Sequence, residues 1–316
     1  MYNLIRFFNQ NRKKIITVIL IIVFIIAVIQ ILNFISKQQK TSDLENIIIK
    51  NENYGDEVVS SKSPITGKSV PEDELKSASD VIKQFMEYCN NSNVESAYSL
   101  LTNECKEEMY PTLNDFNNIY FKYTFGGEKK TYTIENWIDN VYQVRITGDI
   151  LSTGKIDNAT TKQDYITIVE ENNELKLNIN KYVGRSNPDK VTEIDNIKFT
   201  ITQVDTYMDY KEYNLLIENN SSNDILLDTS NDTKSIYLID RNDKKTYFLS
   251  SEITPNQFVV QSKYKTNLKI KFAYEFASNN SLKNIVFSKS ILNYDEYRKL
   301  DNKEQFNDFQ ELKIKI

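Results

Sequence analysis

The chain has 316 residues, a formal net charge of −5 and a sequence pI near 5.2, so its charge gives no reason to expect nucleic-acid binding. Hydrophobic residues make up 40% and aromatic residues 12% of the sequence, which is enough to build folded cores over about two domains. Histidine is absent, which excludes Ser-His-Asp and Cys-His nucleophile systems and every histidine-containing metal site.

An uncharged, strongly apolar run covers residues 15–35 and is long enough to span a bilayer as a helix. It continues into "SKQQK" rather than into the small residues of a cleavage site, so the run is typical of an uncleaved signal anchor. The residues before it, 1–14, contain basic but no acidic side chains, which predicts a cytoplasmic tail and places the later chain outside the cell. The sequence therefore predicts a single-pass cell-membrane protein that contacts the lipid bilayer through 15–35.

The segment 36–68 is polar, lacks sustained periodicity and is predicted to be a stalk. It ends on "TGKS", which is similar to the end of a phosphate-binding loop. That loop needs a glycine where this chain has Lys62, and a strand before it, so we reject nucleotide binding here; "GDILSTGKI" fails on spacing as well. Ser69 and Glu72 instead match the S-x-x-E capping box, which predicts a helix beginning near Ser69 with no strand before it.

Helical periodicity follows Ser69 through three predicted helices. The first has an apolar stripe at Leu75, Ala78, Ile82, Phe85 and Cys89. A second helix is predicted to begin near Ser92 or Asn93 and to end at Pro111, and a short third one is predicted around 115–120. These elements form the first part of an α+β region.

Cys89 and Cys105 are the two cysteines of the chain, and an exported protein allows them to pair. Regular antiparallel packing of the first two helices separates them by about 15 Å, which is beyond disulfide reach. Both lie on apolar stripes, so two buried free thiols are favoured over a disulfide.

After residue 130 the pattern changes from helical spacing to alternation, which is typical of strands. Asp139-Asn140 and Asn172-Asn173 are turn-type pairs, and each separates two alternating runs. The runs are 131–138, 141–150, 164–171 and 174–183. Two hairpins of a largely antiparallel sheet are therefore predicted.

The order of helices and then a sheet, together with "FMEYCNNSNVESAYSLL", resembles the nuclear transport factor 2-like fold over about residues 70–185. The resemblance implies a cone-shaped α+β domain, assigned here to 69–185. Domains of this fold hold a ligand in the cone, act as isomerases or hydrolases, or serve only as binding scaffolds.

"GRSNPDK" indicates a domain boundary, and the chain beyond it alternates between short strand-like runs and turn clusters. With "IENNSSNDI" and "YLIDRNDKKTYF", this half, 191–316, resembles the immunoglobulin-like domains of exported Gram-positive bacterial proteins. The predicted fold class is therefore multidomain: an N-terminal transmembrane helix, an α+β cone-like domain with an antiparallel curved sheet, and an all-β immunoglobulin-like sandwich.

Acidic side chains are the candidates for chemistry in a chain without histidine. In the first predicted domain they are Asp115, Glu135, Asp139, Asp149 and Asp164. Glu135 is predicted to face outward from a strand, Asp139 lies in a turn, and Asp149 and Asp164 lie near strand ends. All five acids are predicted to be solvated, since charged residues are seldom buried unpaired. We assign no catalytic, cofactor-binding or metal-ligating residue, and "DRNDKK" lacks the glycine and distal glutamate of a calcium loop.

Four aromatic residues are candidates for lining a pocket: Phe116, Tyr120, Trp137 and Tyr142. Large aromatics in a helix-and-sheet domain more often build the core, and we favour that interpretation.

The sequence favours an extracytoplasmic scaffold or protein-interaction component of a bacterial cell envelope over an enzyme. One anchor followed by exported domains is similar to the bitopic bridge proteins of secretion and conjugation machines. Envelope proteins, or further copies of the chain, are the expected partners. The alternative is an envelope ligand-binding or sensing protein that uses the cone pocket, and an enzyme on the cone is the least favoured hypothesis.

Overall fold

A computed structural model describes residues 59–148, 161–229, 234–249, 255–277 and 281–316, all of which belong to one compact unit. The predicted membrane segment 15–35 and most of the predicted stalk lie outside the described residues. Within the described ranges, no helix is both long and apolar enough to cross a membrane.

The helices of the first half are one long and several short elements. They are α1 (Glu72–Asn90), α2 (Val94–Ser99), α3 (Asn103–Met109) and α4, a continuous stretch built of Leu113–Asp115, π-helical Phe116–Phe121 and Lys122–Thr124. The second predicted helix is divided in two because Leu101 leaves the helix to form a bridge with Leu177. Thr102 then caps α3 by accepting a hydrogen bond from the backbone N–H of Cys105 at 2.9 Å.

The first sheet has the order β1-β2-β3-β4-β5, and only β1 runs parallel to its neighbour. Its strands are β1 (Val59–Ser60), β2 (Lys130–Ile138), β3 (Val141–Gly148), β4 (Lys162–Glu171) and β5 (Glu174–Asn178). Both predicted hairpins are confirmed, and the turn residues Asp139, Asn172 and Asn173 have positive φ angles of 49°, 55° and 62°. Asn and Asp tolerate this conformation better than other non-glycine residues, which explains their positions.

The second half is almost entirely β-structure. Its elements in chain order are β6 (Tyr182–Ser186), β7 (Lys190–Ile194), β8 (Ile197–Tyr207), β9 (Tyr210–Asn219), β10 (Ile225–Leu226), β11 (Ile236–Asp240), β12 (Lys245–Tyr247), β13 (Val259–Val260), β14 (Lys265–Ala273), β15 (Leu282–Ser290), α5 (Tyr294–Arg298) and β16 (Gln310–Lys315). One sheet has the order β14-β9-β8-β6, with β7 also pairing to β8. A second has the order β12-β11-β15-β16, and β10 pairs with β13.

Two clusters of buried apolar side chains stabilise these layers. The first lies between the helices and the first sheet, and it also takes in Tyr182 and Tyr207 from the strands β6 and β8. The second fills the space among the sheets of the second half. Burying a large apolar side chain contributes about 1.5–3 kcal/mol, so these clusters dominate the stability of the fold.

The predicted fold class is wrong for the described chain. The structure is mostly β-sheet with few helices, since α1 alone is long and the helices that follow it are short. The strand β6 ends within "GRSNPDK" and β7 begins at its last residue, and both strands pair with β8, so one sheet includes strands from both sides of the predicted boundary. Local patterns identified the strands, but they carried no information about pairing across the predicted boundary.

A helix does begin near Ser69, as predicted, but the predicted Ser69 cap and the predicted absence of a preceding strand are wrong. Ser69 bridges Lys62 in a small hairpin, and α1 begins at Glu72 without a side-chain cap. The strand β1 precedes this hairpin and pairs with β2. The part of the predicted stalk that the structure describes is therefore held on the sheet.

Cys89 and Cys105 are both free and buried, which confirms the favoured prediction. Burial raises the pKa of Cys105 to about 12 and raises the pKa of Cys89 as well. Both groups therefore stay as thiols at neutral pH and act as small apolar core residues.

Candidate functional site

A cavity of about 440 Å³ opens where α4 meets the beginning of β4, and we call it the Asp164 pocket. Ile119 and Tyr123 from α4 and Lys162 from β4 line it, with Asp164 and Lys181. The pocket thus combines apolar side chains, two lysines and one buried acid.

The position of α4 over this pocket follows from its local sequence. Thr112 and Asp115 form a capping box, in which each side chain accepts a hydrogen bond from the other residue's backbone N–H. The π-helical turn Phe116–Phe121 follows, and it places Phe116 and Tyr120 in the core with their rings stacked at 5.7 Å. π-Helical turns are rare in proteins, and those that occur often lie at functional sites.

Asp164 is 7% exposed, so the prediction that it is solvated is wrong. Its Oδ2 accepts hydrogen bonds from the Tyr120 hydroxyl at 2.8 Å and the Asn180 N–H at 3.0 Å. Its Oδ1 accepts from the N–H groups of Tyr165 at 2.7 Å and Lys181 at 3.2 Å. A carboxylate has about four acceptor sites, and here all four are used.

This arrangement makes Asp164 an anchor for the loop between β5 and β6. Burial raises the pKa of Asp164, although the hydrogen bonds from Asn180, Tyr120 and Tyr165 act against that shift. A general base needs a free lone pair directed at its substrate, and Asp164 directs its lone pairs at protein donors.

The other candidate acids have structural partners or lie at the surface. Asp115 caps α4, Glu135 forms an ion pair with Arg145 at 3.3 Å, and Asp139 is exposed in the β2–β3 turn. Asp149 lies outside the described residues.

The structure does not bring the four predicted pocket residues to one place. Tyr120 borders the Asp164 pocket, whereas Tyr142 borders a different cavity. Phe116 is fully buried in the first core, and Trp137 packs edge-on against Tyr165 with ring centroids 5.4 Å apart.

Two large apolar side chains are exposed on the rim of the Asp164 pocket. Tyr123 is 76% exposed and Ile119, one helical turn away, is 56% exposed. The Lys162 ammonium lies 3.4 Å from the centre of the Tyr123 ring. Burial and the neighbouring Lys130 lower the pKa of Lys162, so a negative charge brought to this rim would be favoured.

A second buried charged cluster joins α3 to the sheet of β8 and β9. Carboxylate oxygens of Glu108, Asp205 and Glu212 lie within 4.8 Å of one another. Arg185 bonds Asp205 at 2.8 Å and Glu108 at 3.0 Å, and Lys269 forms ion pairs with Glu108 and Glu212. These cations already neutralise the acids, so the donor set matches an ion-pair network rather than a metal site.

Sequence reasoning missed both buried acid groups. Arg185 lies in "GRSNPDK", which was interpreted as a boundary, and its partner Glu108 is far away in the chain. No local spacing links these residues. For Asp164, the polar start of an alternating run gave no sign that a loop would fold back over it.

Comparisons with known proteins give no family for the chain. No family model matches, and no curated protein matches either. One similar solved structure is described as "The crystal structure of a functionally unknown protein from Listeria monocytogenes EGD-e". It is 12% identical with a TM-score of 0.27, covers 43% of this chain and 85% of its own, and carries no argument at that score.

Proposed function

We propose that this chain is a membrane-anchored protein-interaction component on the outer side of a bacterial cell membrane. The apolar run 15–35, with basic residues before it, supports anchoring in the bilayer with the later chain outside the cell. The observation that carries the interaction role is the exposure of Tyr123 and Ile119 on the rim of the Asp164 pocket.

An exposed aromatic beside a pocket is a common anchor in protein interfaces. Tyrosine is enriched at the residues that dominate binding energy, and adjoining apolar side chains exclude water around it. Tyr123 and Ile119 are one turn apart on α4, so a partner can cover both at once.

The charges of the rim favour an acidic partner segment with an apolar side chain. Lys162 and Lys181 border the pocket, while the acid beneath them is already hydrogen-bonded. Lys181 forms an ion pair with Asp209 at 2.9 Å, whereas the Lys162 ammonium lies over the Tyr123 ring. The partner carboxylate would pair with Lys162 while its apolar side chain packs on Tyr123.

Binding of a small ligand is the second candidate function, and the volume of the Asp164 pocket falls in the range of small-molecule sites. The space between α1 and the first sheet favours the interaction role instead. It is filled by the interlocking rings of Phe85, Tyr110, Phe116 and Tyr120.

The test is affinity purification of the full chain after crosslinking in intact membranes. Tyr123→Ser removes the proposed anchor, and Tyr264→Ser is a matched control because Tyr264 is 64% exposed and lies outside the Asp164 pocket. We expect an envelope protein to be recovered in constant proportion with the parent chain and the control, and to be lost with Tyr123→Ser. Equal recovery with both variants, or recovery of the chain alone, contradicts the proposal.

A further inference from the structure

A separate cavity of about 640 Å³ lies between the hairpin 62–69, the first turn of α1 and the β2–β3 turn. The hairpin is held on the sheet because the Ser63 hydroxyl donates a hydrogen bond to the Trp137 carbonyl. The volume of this cavity is typical of a small-ligand site. None of its lining residues belongs to the Asp164 pocket.

A buried acceptor without a partner borders this cavity. Asn136 is 1% exposed, and its Nδ2 donates to the Asp139 carbonyl at 2.8 Å. Its Oδ1 has no hydrogen-bond partner among the described residues. Buried polar atoms nearly always have a hydrogen-bond partner, so we expect an occupant of the cavity to donate a hydrogen bond to this oxygen.

The floor of the cavity is apolar and aromatic. Tyr142, Ala78 and Ile168 are 2%, 4% and 9% exposed and all line it. Burial raises the pKa of Tyr142, which keeps its hydroxyl neutral. Asn136, Tyr142 and Glu74 all line this cavity.

The rim of the cavity is acidic. Asp73 and Glu74 of α1 and Asp139 of the turn line it, against one cation, Lys68. A free helix N-terminus favours anions, but the first turn of α1 already carries acids. The unpartnered atom is also an acceptor. Both features favour a cationic hydrogen-bond donor over an anion.

We infer that this cavity binds a primary alkylammonium group. The ammonium donates to Asn136 Oδ1 and is attracted by Glu74 and Asp139, while its alkyl chain covers Ile168 and the ring of Tyr142. The group has two possible sources, a free amine or the lysine side chain of a peptide. This site goes beyond the proposed function, since it shares no residue with the interaction surface.

The test measures binding of hexylammonium to the full chain in phosphatidylcholine nanodiscs by saturation-transfer NMR, with empty nanodiscs as the blank. Hexanoate has the same chain length and the opposite charge, and it serves as the matched ligand control. A second arm uses acetyl-Gly-Lys-Gly-amide, whose single ammonium is a lysine side chain. Binding of hexylammonium alone identifies a free amine as the source, and binding of the peptide identifies a lysine side chain.

Variants at the rim keep the proposal testable without disturbing the core. Glu74→Gln with Asp139→Asn removes two charges, and asparagine keeps the positive φ that position 139 requires. We expect about a tenfold loss of hexylammonium affinity in this double variant. Asn136→Leu, which removes the acceptor, should abolish binding.

Three results would overturn the inference. They are no binding of either ammonium probe, hexanoate binding as tight as hexylammonium binding, and unchanged affinity in the rim double variant. If Asn136→Leu does not fold, the hexylammonium affinity of the rim double variant still tests the inference.

Discussion

Asp164 and Asp205 are both buried acids, but the protein stabilises them in different ways. Asp164 is held by neutral donors, a tyrosine hydroxyl and three backbone N–H groups. Asp205 is 0% exposed and is bonded by the charged Arg185 and the hydroxyl of Tyr182. The first arrangement fixes a loop, and the second joins distant elements through charge.

The two regions should lose stability through different substitutions. Removing one cation from a network of opposite charges lowers the stability of the fold, because a buried acid is left without an opposite charge. A carboxylate held by neutral donors stabilises the fold only while its oxygens can accept their hydrogen bonds. A change in its shape or in its number of acceptors leaves buried donors without a partner and lowers stability. The two regions should therefore respond differently to the removal of a charge.

The largest effect is expected for Arg185→Ala. Arg185 bonds Glu107, Glu108 and Asp205, and its loss leaves the fully buried Asp205 without its cation. We expect the free energy of unfolding to fall by about 3–5 kcal/mol, measured by urea denaturation of the full chain in nanodiscs.

Arg145→Ala is the matched control for this change. Arg145 pairs with Glu135 at 3.3 Å and its side chain is 50% exposed, so its loss should cost no more than about 1 kcal/mol. Equal losses in the two variants would show that the Arg185 network stabilises no more than a surface pair.

A smaller effect is expected for Asp164→Asn. The amide has the same shape but turns two acceptor positions into donors, which then face the N–H groups or the hydroxyl that bound the acid. We expect a loss of about 2–3 kcal/mol, reported by far-UV circular dichroism and by the fluorescence of Trp137, the one tryptophan of the chain.

Tyr120→Phe removes one of the four donors to Asp164 and keeps the aromatic packing, so about 1 kcal/mol is expected. If Asp164→Asn costs no more than Tyr120→Phe, the backbone donors do not depend on the carboxylate, and the contrast between the two acids would fail.

The sequence predicted local elements well and their long-range partners poorly. The stripe from Leu75 to Cys89 predicted α1, and the turn pairs predicted both hairpins of the first sheet. These features depend on neighbours along the chain, which periodicity and turn chemistry report directly.

Features that depend on distant contacts were missed. The bridge between Lys62 and Ser69 replaced the expected cap, and the pairing of β6 with β8 was not predicted. Asp164 was predicted to be solvated because nothing in its run indicated the loop that covers it. The candidate site was found only in part, since Tyr120 was named but Tyr123 and Lys162 were not.

The smallest effect is expected from the titration of Asp164. Burial raises the pKa of Asp164 above its ordinary value of 3.8, so the folded protein binds this proton more tightly than the unfolded chain does. Its contribution to stability therefore falls as the pH rises from the unfolded pKa through the folded one.

The amide introduced by Asp164→Asn does not titrate, so the stability difference between the parent chain and this variant should narrow as the pH rises from about 4 to about 7. Urea denaturation at several pH values measures this difference. A difference that widens over the same range would mean that hydrogen bonding outweighs burial at Asp164.

The interaction role is tested most directly by photo-crosslinking in the membrane. A benzophenone amino acid replaces Tyr123 in the full chain, and the same replacement at Tyr264 is the control, since both side chains are largely exposed. The account predicts one discrete adduct from position 123 that maps to an acidic segment of an envelope protein and is lost with Lys162→Glu. An equal yield from both positions, or an adduct at 123 that Lys162→Glu leaves unchanged, would contradict it.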